Sequence, residues 1–396
     1  MKLSSRARHV VGSPTLTLDA KTKELVAQGV DVISFGVGEP DFDTPDHIKA
    51  AAIDAIKRGF TKYTPSSGIM ELRQAICAKL KADNGLEYQP AEVLVSVGAK
   101  HAIYNAVMAL CDDGDEVLLP APYWVSYPEM IKLAGGKPVI VEATIDTGFK
   151  VTPEQIEKAI TPKTSAIILN SPSNPTGAVY TEDEIRRVAE ICTKHGVAII
   201  SDEIYEKLIY EGKHVSVAAL SPEIKANTIT VNGVSKSYAM TGWRIGYAAG
   251  PKEVISAMGK IQGHATSNPT SIAQVAAVAG LKGPQEELEK MRVEFKKRRD
   301  YMVARLNEMP GIKCLVPPGA FYTYPDVSGL LGKKIAGKLV KDVDVLADIL
   351  LEDARIAAVP GSGFGTSTNI RFSYATSMEL IEEGMNRLAK VLTTLE

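Results

Sequence analysis

Apolar residues along this chain keep two different rhythms. Between about Glu92 and Gly250, short runs rich in Val, Ile and Leu alternate with longer stretches whose apolar residues recur every three or four positions. The short runs are Val93–Val97, Glu116–Leu119, Pro138–Val141, Ser165–Leu169, Val197–Ser201, Thr228–Val231 and Ile245–Ala248. Their near-continuous apolarity predicts strands covered on both faces. The stretches His101–Leu110, Glu154–Ile160 and Thr181–His195 carry helical spacing. Such a succession predicts an α/β fold: a mainly parallel central sheet flanked by helices. Past Pro284 the rhythm changes to a long charged helix at Gln285–Leu306, then to short elements of lower apolar density from Gly311 onward. We therefore expect a large domain over residues 46–290, and a smaller α/β domain built from 291–396 together with the segment 1–45. No repeat or low-complexity segment interrupts this organisation.

The polar residues matter because of where they fall. Val93–Val97 runs into Gly98, Ala99 and Lys100, which open a helical pattern, and Ser165–Leu169 runs into Asn170 and the turn Asn174–Gly177. Val197–Ser201 delivers Asp202, Glu203 and Tyr205, while Thr228–Val231 leads through Asn232 and Gly233 to Ser235 and Lys236. The carboxyl ends of strands in an open parallel sheet share one edge, and ligands bind there. Groups spread over about 140 positions are thus predicted to converge.

Each group alone has an ordinary explanation. Gly98-Ala99-Lys100 presents free N–H groups at a helix start, which suits a phosphate but equally makes a tight turn. Asn-Pro-Thr-Gly at 174–177 is turn chemistry by default. A carboxylate such as Asp202, at the end of an apolar strand, needs a cation or donor, and a structural ion pair would serve. Lys236 by itself reads as a solvated loop lysine. In combination, a nucleophilic lysine, a carboxylate, a phosphate-type turn and the nearby Arg244 are what an aldehyde cofactor with a phosphate and a basic ring nitrogen requires.

Composition narrows the classes further. The 396 residues are 45% hydrophobic and 23% charged, with a net charge of −2, the balance of a globular protein. No basic excess points to nucleic acid, and nothing before Asp46 is long or basic enough for a DNA-binding module, which disfavours a regulator. No apolar run reaches the roughly 18 residues of a membrane span, and Met1–Gly12 is polar and basic rather than signal-like, so a cytoplasmic location is expected. Cys77, Cys111, Cys192 and Cys314 are widely spaced in apolar segments and read as reduced core thiols. The histidines at 9, 47, 101, 195, 214 and 264 show no metal-ligand spacing and receive no catalytic role; for His101, helix-surface packing accounts for its place. The absence of G-x-G-x-x-G after a first strand disfavours a nicotinamide dehydrogenase.

The segment S-K-S-Y-A-M-T-G-W-R-I-G at Ser235–Gly246 resembles the cofactor-lysine motif of class I and II aminotransferases of fold type I. N-P-T-G at Asn174, S-D-E-I-Y at Ser201–Tyr205, G-x-G-E-P-D-F at Gly36–Phe42 and N-I-R-F-S-Y-A at Asn369–Ala375 join it, in the family's order and over nearly the whole chain. K-Y-T-P-x-S-G at Lys62–Gly68 and P-Y-W-V-S-Y-P at Pro122–Pro128 resemble the bacterial Ib subgroup of aspartate aminotransferases.

The resemblance implies pyridoxal 5'-phosphate held as a Schiff base on Lys236, whose amine also shuttles the substrate proton. Reactivity requires that amine to be neutral, so an electropositive setting should lower its pKa. Asp202 would pair with the ring nitrogen, Tyr205 and Asn174 would donate to the phenolic oxygen, and Trp124 would stack on the ring. The phosphate would rest on Ala99, Lys100, Ser235 and Arg244, with Tyr63 reaching in from a neighbouring subunit. The implied assembly is a homodimer with shared active sites, and Met1 to about Leu18 becomes an arm or lid. Gly233 departs from the pattern, since some relatives carry a second phosphate hydroxyl there. Arg371 would clamp the α-carboxylate, assisted by Asn174 and the backbone of Gly38.

Substrates of such an enzyme are amino acids and 2-oxo acids. Lys100 is the candidate cation for a distal carboxylate, although lysines near helix starts are common, and Ser13–Thr17, with Thr17, is placed over the substrate by position. The expected reaction moves the amino group of aspartate to 2-oxoglutarate by a ping-pong route. Prephenate, aromatic or alanine-type specificity is the alternative, and a β-lyase on the same scaffold would release pyruvate and ammonia instead.

Overall fold

A computed structural model describes the chain from Met1 to Glu396. Seven strands form the central sheet: β1 (Val93–Val97), β2 (Glu116–Ala121), β3 (Lys137–Glu142), β4 (Thr164–Asn170), β5 (Ala198–Asp202), β6 (Thr228–Gly233) and β7 (Ile245–Ala249), in the order β1-β7-β6-β5-β4-β2-β3. Alternation along each strand serves both faces. Ile168 and Ile200 join one apolar cluster, while their neighbours Ile167, Leu169 and Ile199 join another on the opposite side. Each fully buried Val, Leu or Ile contributes roughly 1.5–3 kcal/mol through area removed from water.

The helix Ala99–Leu110 covers one face with a stripe of Ala102, Ile103, Ala106 and Val107. Helix Glu182–Lys194 begins at a capping box: the Thr181 hydroxyl accepts from Glu184 N–H, and the Glu184 carboxylate accepts from Thr181 N–H. That reciprocal cap fixes the start of the helix expected at 181–195.

One strand breaks the parallel rule. β7 runs antiparallel to both neighbours, with Val97 opposite Ile245 and Gly233 opposite Gly246. The link 234–244 contains only short turns and one 3-10 turn, too little for a helical crossover, so the chain doubles back. Its first residues therefore lie at the edge where the parallel strands end.

A second core of buried residues gathers Phe35, Phe295, Phe321 and Phe372 around the long helix Glu286–Asn307. A three-stranded antiparallel sheet (Val359–Pro360, Ile370–Ser373, Tyr322–Thr323) presents Arg371 beside the edge of the large sheet. Ile33–Ser34 pairs in parallel with Ile356–Ala357, which ties the N-terminal segment to this C-terminal part. All four cysteines are free thiols, and no helix is long and apolar enough to cross a membrane.

Candidate active site

The carboxyl ends of β1, β4, β5 and β6 open into a cavity of about 300 Å³. Its walls include Gly38, Ala99, Lys100, Trp124, Asn174, Asp202, Tyr205, Ser235, Lys236, Arg244 and Arg371. Eleven of the twelve expected site residues thus meet in one place; Tyr63 is the exception, 92% exposed and outside the cavity.

Asp202, the last residue of β5, is 4% exposed. Its Oδ2 accepts from the Tyr127 hydroxyl at 2.7 Å and its Oδ1 from Ile204 N–H at 3.2 Å. Burial lifts its pKa to about 6, helped by the Glu203 charge and opposed by these two donors and by Lys236. The carboxylate is therefore costly to keep ionised alone and is suited to a cationic partner.

Lys236 is half-buried, and its Nζ donates to the Gly38 carbonyl at 2.5 Å. Burial, reinforced by Arg244 and Arg371, lowers its pKa to about 8 against the attraction of Glu39 and Asp202. The expected electropositive setting is present, but desolvation is the larger cause. A stability consequence follows from the sign. The folded-state pKa of about 8 lies below the free value of 10.5, so the cost of the buried ammonium is fully present below pH 8 and vanishes as pH rises past 10.5. Cofactor-free Lys236→Met should therefore be more stable than wild type at pH 7, by about 2 kcal/mol after allowing for partial exposure. Urea unfolding across pH 7–10.5 should show that advantage shrinking; a constant difference would contradict a buried amine.

The anion-binding corner is built by glycine. Gly98 caps helix Ala99–Leu110 at φ +81°, and a Cβ there would strike the Arg244 guanidinium. Ala99 and Lys100 N–H groups find no backbone acceptor, and the Ser235 hydroxyl has no protein partner. Arg244, itself at φ +57°, is held by the carbonyls of Thr241 (2.8 Å) and Val97 (3.4 Å). Gly233 has a structural cause: a Cβ would lie 2.9 Å from the Gly246 Cα and the Ile245 carbonyl, so β7 leaves no room for a hydroxyl side chain.

Arg371 is 2% exposed and lies between aromatic rings, its Cζ 4.5 Å from the Tyr322 centroid and 5.0 Å from that of Phe364. It donates to Asn174 Oδ1 at 2.8 Å and to the Gly36 carbonyl at 2.6 Å, while its Nε has no partner. A buried guanidinium with an unspent donor on a cavity is poised for a planar anion such as a carboxylate. Tyr205 Oη lies 2.8 Å from Tyr322 Oη. Lys100 extends over Trp124, its Nζ 4.7 Å from the ring centroid.

The N-terminal segment forms helices Ser5–His9 and Pro14–Ala27. Ser13, Thr15, Leu16 and Asp19 line the cavity, but Thr17 does not; its hydroxyl turns back to the Ser13 carbonyl at 3.2 Å. Helical spacing puts Thr17 on another face from Thr15 and Asp19. His101 accepts weakly from Val97 N–H at 3.4 Å, a local packing role. Sequence reasoning missed Tyr127, Tyr322 and Gly36. Tyr127 sits in the P-Y-W-V-S-Y-P motif, five residues past Pro122, and a second aromatic on the Trp124 turn was the available signal. For Gly36 the signal was the first glycine of G-x-G-E-P-D-F; Tyr322, in Gly-Ala-Phe-Tyr, carried none.

An open α/β sheet with a lysine of lowered pKa, a buried carboxylate, an anion corner and a buried arginine at one edge offers the groups that an enzyme with a lysine-bound aldehyde cofactor requires. The family model for aminotransferase class I and II matches residues 30–388. The aspartate aminotransferase of Geobacillus stearothermophilus is 54% identical over 393 residues, 99% of each chain. The aspartate/prephenate aminotransferase of Cereibacter sphaeroides is 53% identical over 98% of this chain and 97% of its own. The crystal structure of the aspartate aminotransferase from Rhizobium meliloti superposes with a TM-score of 0.97 at 46% identity, covering 100% of both chains. The chain belongs to the class I and II aminotransferases, which are pyridoxal-phosphate-dependent transaminases.

Proposed function

We propose that this chain transfers the amino group of aspartate to 2-oxoglutarate, giving oxaloacetate and glutamate in two half-reactions on one cavity. The observation that carries this reading is the pairing of buried Arg371, with its unpartnered Nε, and Lys100 on the walls around Lys236, because a dicarboxylate needs two cations flanking an amine. The name and 54% identity of the Geobacillus stearothermophilus relative support the same choice.

The donor set fits pyridoxal 5'-phosphate: free N–H groups at Ala99 and Lys100, the Ser235 hydroxyl and Arg244 for its phosphate, and Asp202 for its ring nitrogen. Once bound, that group supplies an aldehyde that condenses with amines and a pyridinium ring that withdraws electrons from the substrate Cα. Lys236 Nζ would hold the aldehyde carbon. As a neutral amine the same nitrogen would take the proton from the substrate Cα. Asp202, oriented by Tyr127, would keep the proton on the ring nitrogen. Tyr205 and the Asn174 amide would donate to the phenolic oxygen, and Trp124 would cover the ring and exclude water. Arg371 orients the α-carboxylate, assisted by Gly38 N–H, so that the Cα–H bond faces Lys236.

Tyr63 completes the phosphate contacts from a second copy of the chain, which makes the homodimer the working unit; its 92% exposure supports this. The division into 1–45, 46–290 and 291–396 is supported by the separate core around Phe295 and Phe321 and by the pairing of Ile33–Ser34 with Ile356–Ala357. Prephenate as a further acceptor is favoured by the likeness to the aspartate/prephenate aminotransferase of Cereibacter sphaeroides.

Lys100→Ala should raise KM for aspartate and 2-oxoglutarate by about fivefold to tenfold, the worth of a partly exposed charge pair, and leave KM for alanine unchanged. Steady-state assays with the three substrates decide it. Alanine or tyrosine turned over tenfold better than aspartate by the wild type would overturn the dicarboxylate reading.

A further inference from the structure

Asp202 is not the only buried acid at the end of β5. Glu203 follows it at once, 1% exposed, with a wholly different set of partners. Its Oε1 accepts from the hydroxyls of Ser201 (2.8 Å) and Ser216 (3.0 Å) and from Val217 N–H (3.2 Å). Its Oε2 lies 2.9 Å from His214 Nε2. Four polar groups thus converge on one buried carboxyl. Neighbouring carboxylates in a low-dielectric interior repel each other, and the Glu203 charge contributes to the raised pKa of Asp202.

His214 lies against the Glu203 carboxylate. Its Nδ1 has no partner in the protein, so Glu203 is the ring's sole hydrogen-bond partner. The charged groups around the ring are Glu203 and Glu206 beyond β5 and Lys79 from the helix Met70–Asn84. Burial opposes the imidazolium most, but the hydrogen bond and charge of Glu203, with the charge of Glu206, outweigh it and the repulsion of Lys79, so the pKa is raised. Glu206 is already matched by contact with the Lys79 ammonium and by the Asn84 amide at 2.9 Å. Ligand atoms of Glu203, Glu206 and His214 lie within 4.8 Å, a spacing a metal ion would accept, but Lys79 occupies that role.

We propose that Glu203 and His214 form a buried ion pair that acts as a positioning device for the active site, offsetting the charge behind Asp202 so that the Asp202 carboxylate dominates the field at the ring nitrogen. This rests on the reading of Asp202 as the partner of that nitrogen. Neither residue touches the cavity, so both act through Asp202.

The test is a pH titration of the visible absorption band of the holoenzyme. In His214→Gln the Glu203 charge is left unbalanced, which favours the protonated form of the lysine–cofactor linkage. The midpoint should rise by about one pH unit. In the double variant Glu203→Gln/His214→Gln both charges are gone, and the midpoint should return to within about 0.3 unit of wild type. Should His214→Gln fail to fold, His214→Asn, which leaves the same carboxylate without its partner, should raise the midpoint in the same direction. A merely structural pair would change thermal stability and leave the midpoint where it was. An unmoved midpoint in the single variants, or a double variant no nearer to wild type than the single one, overturns the proposal. Asp202→Asn separates the two failures: if cofactor affinity and midpoint are unchanged there, the reading of Asp202 itself is wrong.

Discussion

Lys236→Ala is expected to lower the turnover of amino transfer by at least about 10⁴-fold, the upper range for loss of a positioned acid–base group, while the fold persists. The side chain does two things at one atom. In the proposed reaction its Nζ is the nucleophile that anchors the aldehyde, and the same nitrogen receives the Cα proton. No neighbour can substitute for it: Lys100 extends over Trp124, and Arg244 is tied to Thr241 and Val97 and stays protonated. Loss of the side chain also removes a buried ammonium, so the variant should be at least as stable as wild type without cofactor, which separates lost chemistry from lost structure. Added small primary amines should restore part of the rate by replacing the missing base. A stable variant within tenfold of wild type would sink the assignment.

The second large effect is expected at Arg371. Arg371→Lys should lower kcat/KM for aspartate and for 2-oxoglutarate alike by about 10²–10⁴-fold, because two charge-assisted hydrogen bonds at roughly 1.5–3 kcal/mol each are lost. Lysine is not a conservative choice. The guanidinium lies between the rings of Tyr322 and Phe364 and already spends two donors on Asn174 and Gly36, leaving the planar fork to meet an anion. A compact ammonium cannot hold Asn174 and a carboxylate together. Both half-reactions should suffer equally, since every substrate carries an α-carboxylate. A loss confined to one of the two would place the α-carboxylate elsewhere.

Much of this was legible in the sequence, for identifiable reasons. Strands covered on both faces write long apolar runs, and β1 through β6 were recovered to within two residues at each end. Asp202, Lys236 and the Gly98 turn stood out because polar groups at strand ends contradict the apolar runs before them. The direction of β7 was not legible, because its residues are equally apolar either way; only the short 234–244 link dictates it. That reversal is what carries Arg244 to the site edge. Ile33–Ser34 and Ile356–Ala357 are too short for a period to register, and their pairing depends on contacts 323 positions apart. Tyr127 and Tyr322 look like ordinary core aromatics in sequence, since only their hydroxyl partners distinguish them.

The account's central claim is that Lys236 carries a pyridoxal-phosphate Schiff base that exchanges with an amino acid. The absorption spectrum of the purified protein tests it most directly. A visible band should be present, disappear on adding aspartate and return on adding 2-oxoglutarate. A band indifferent to aspartate, or one kept unchanged by Lys236→Ala, would contradict it.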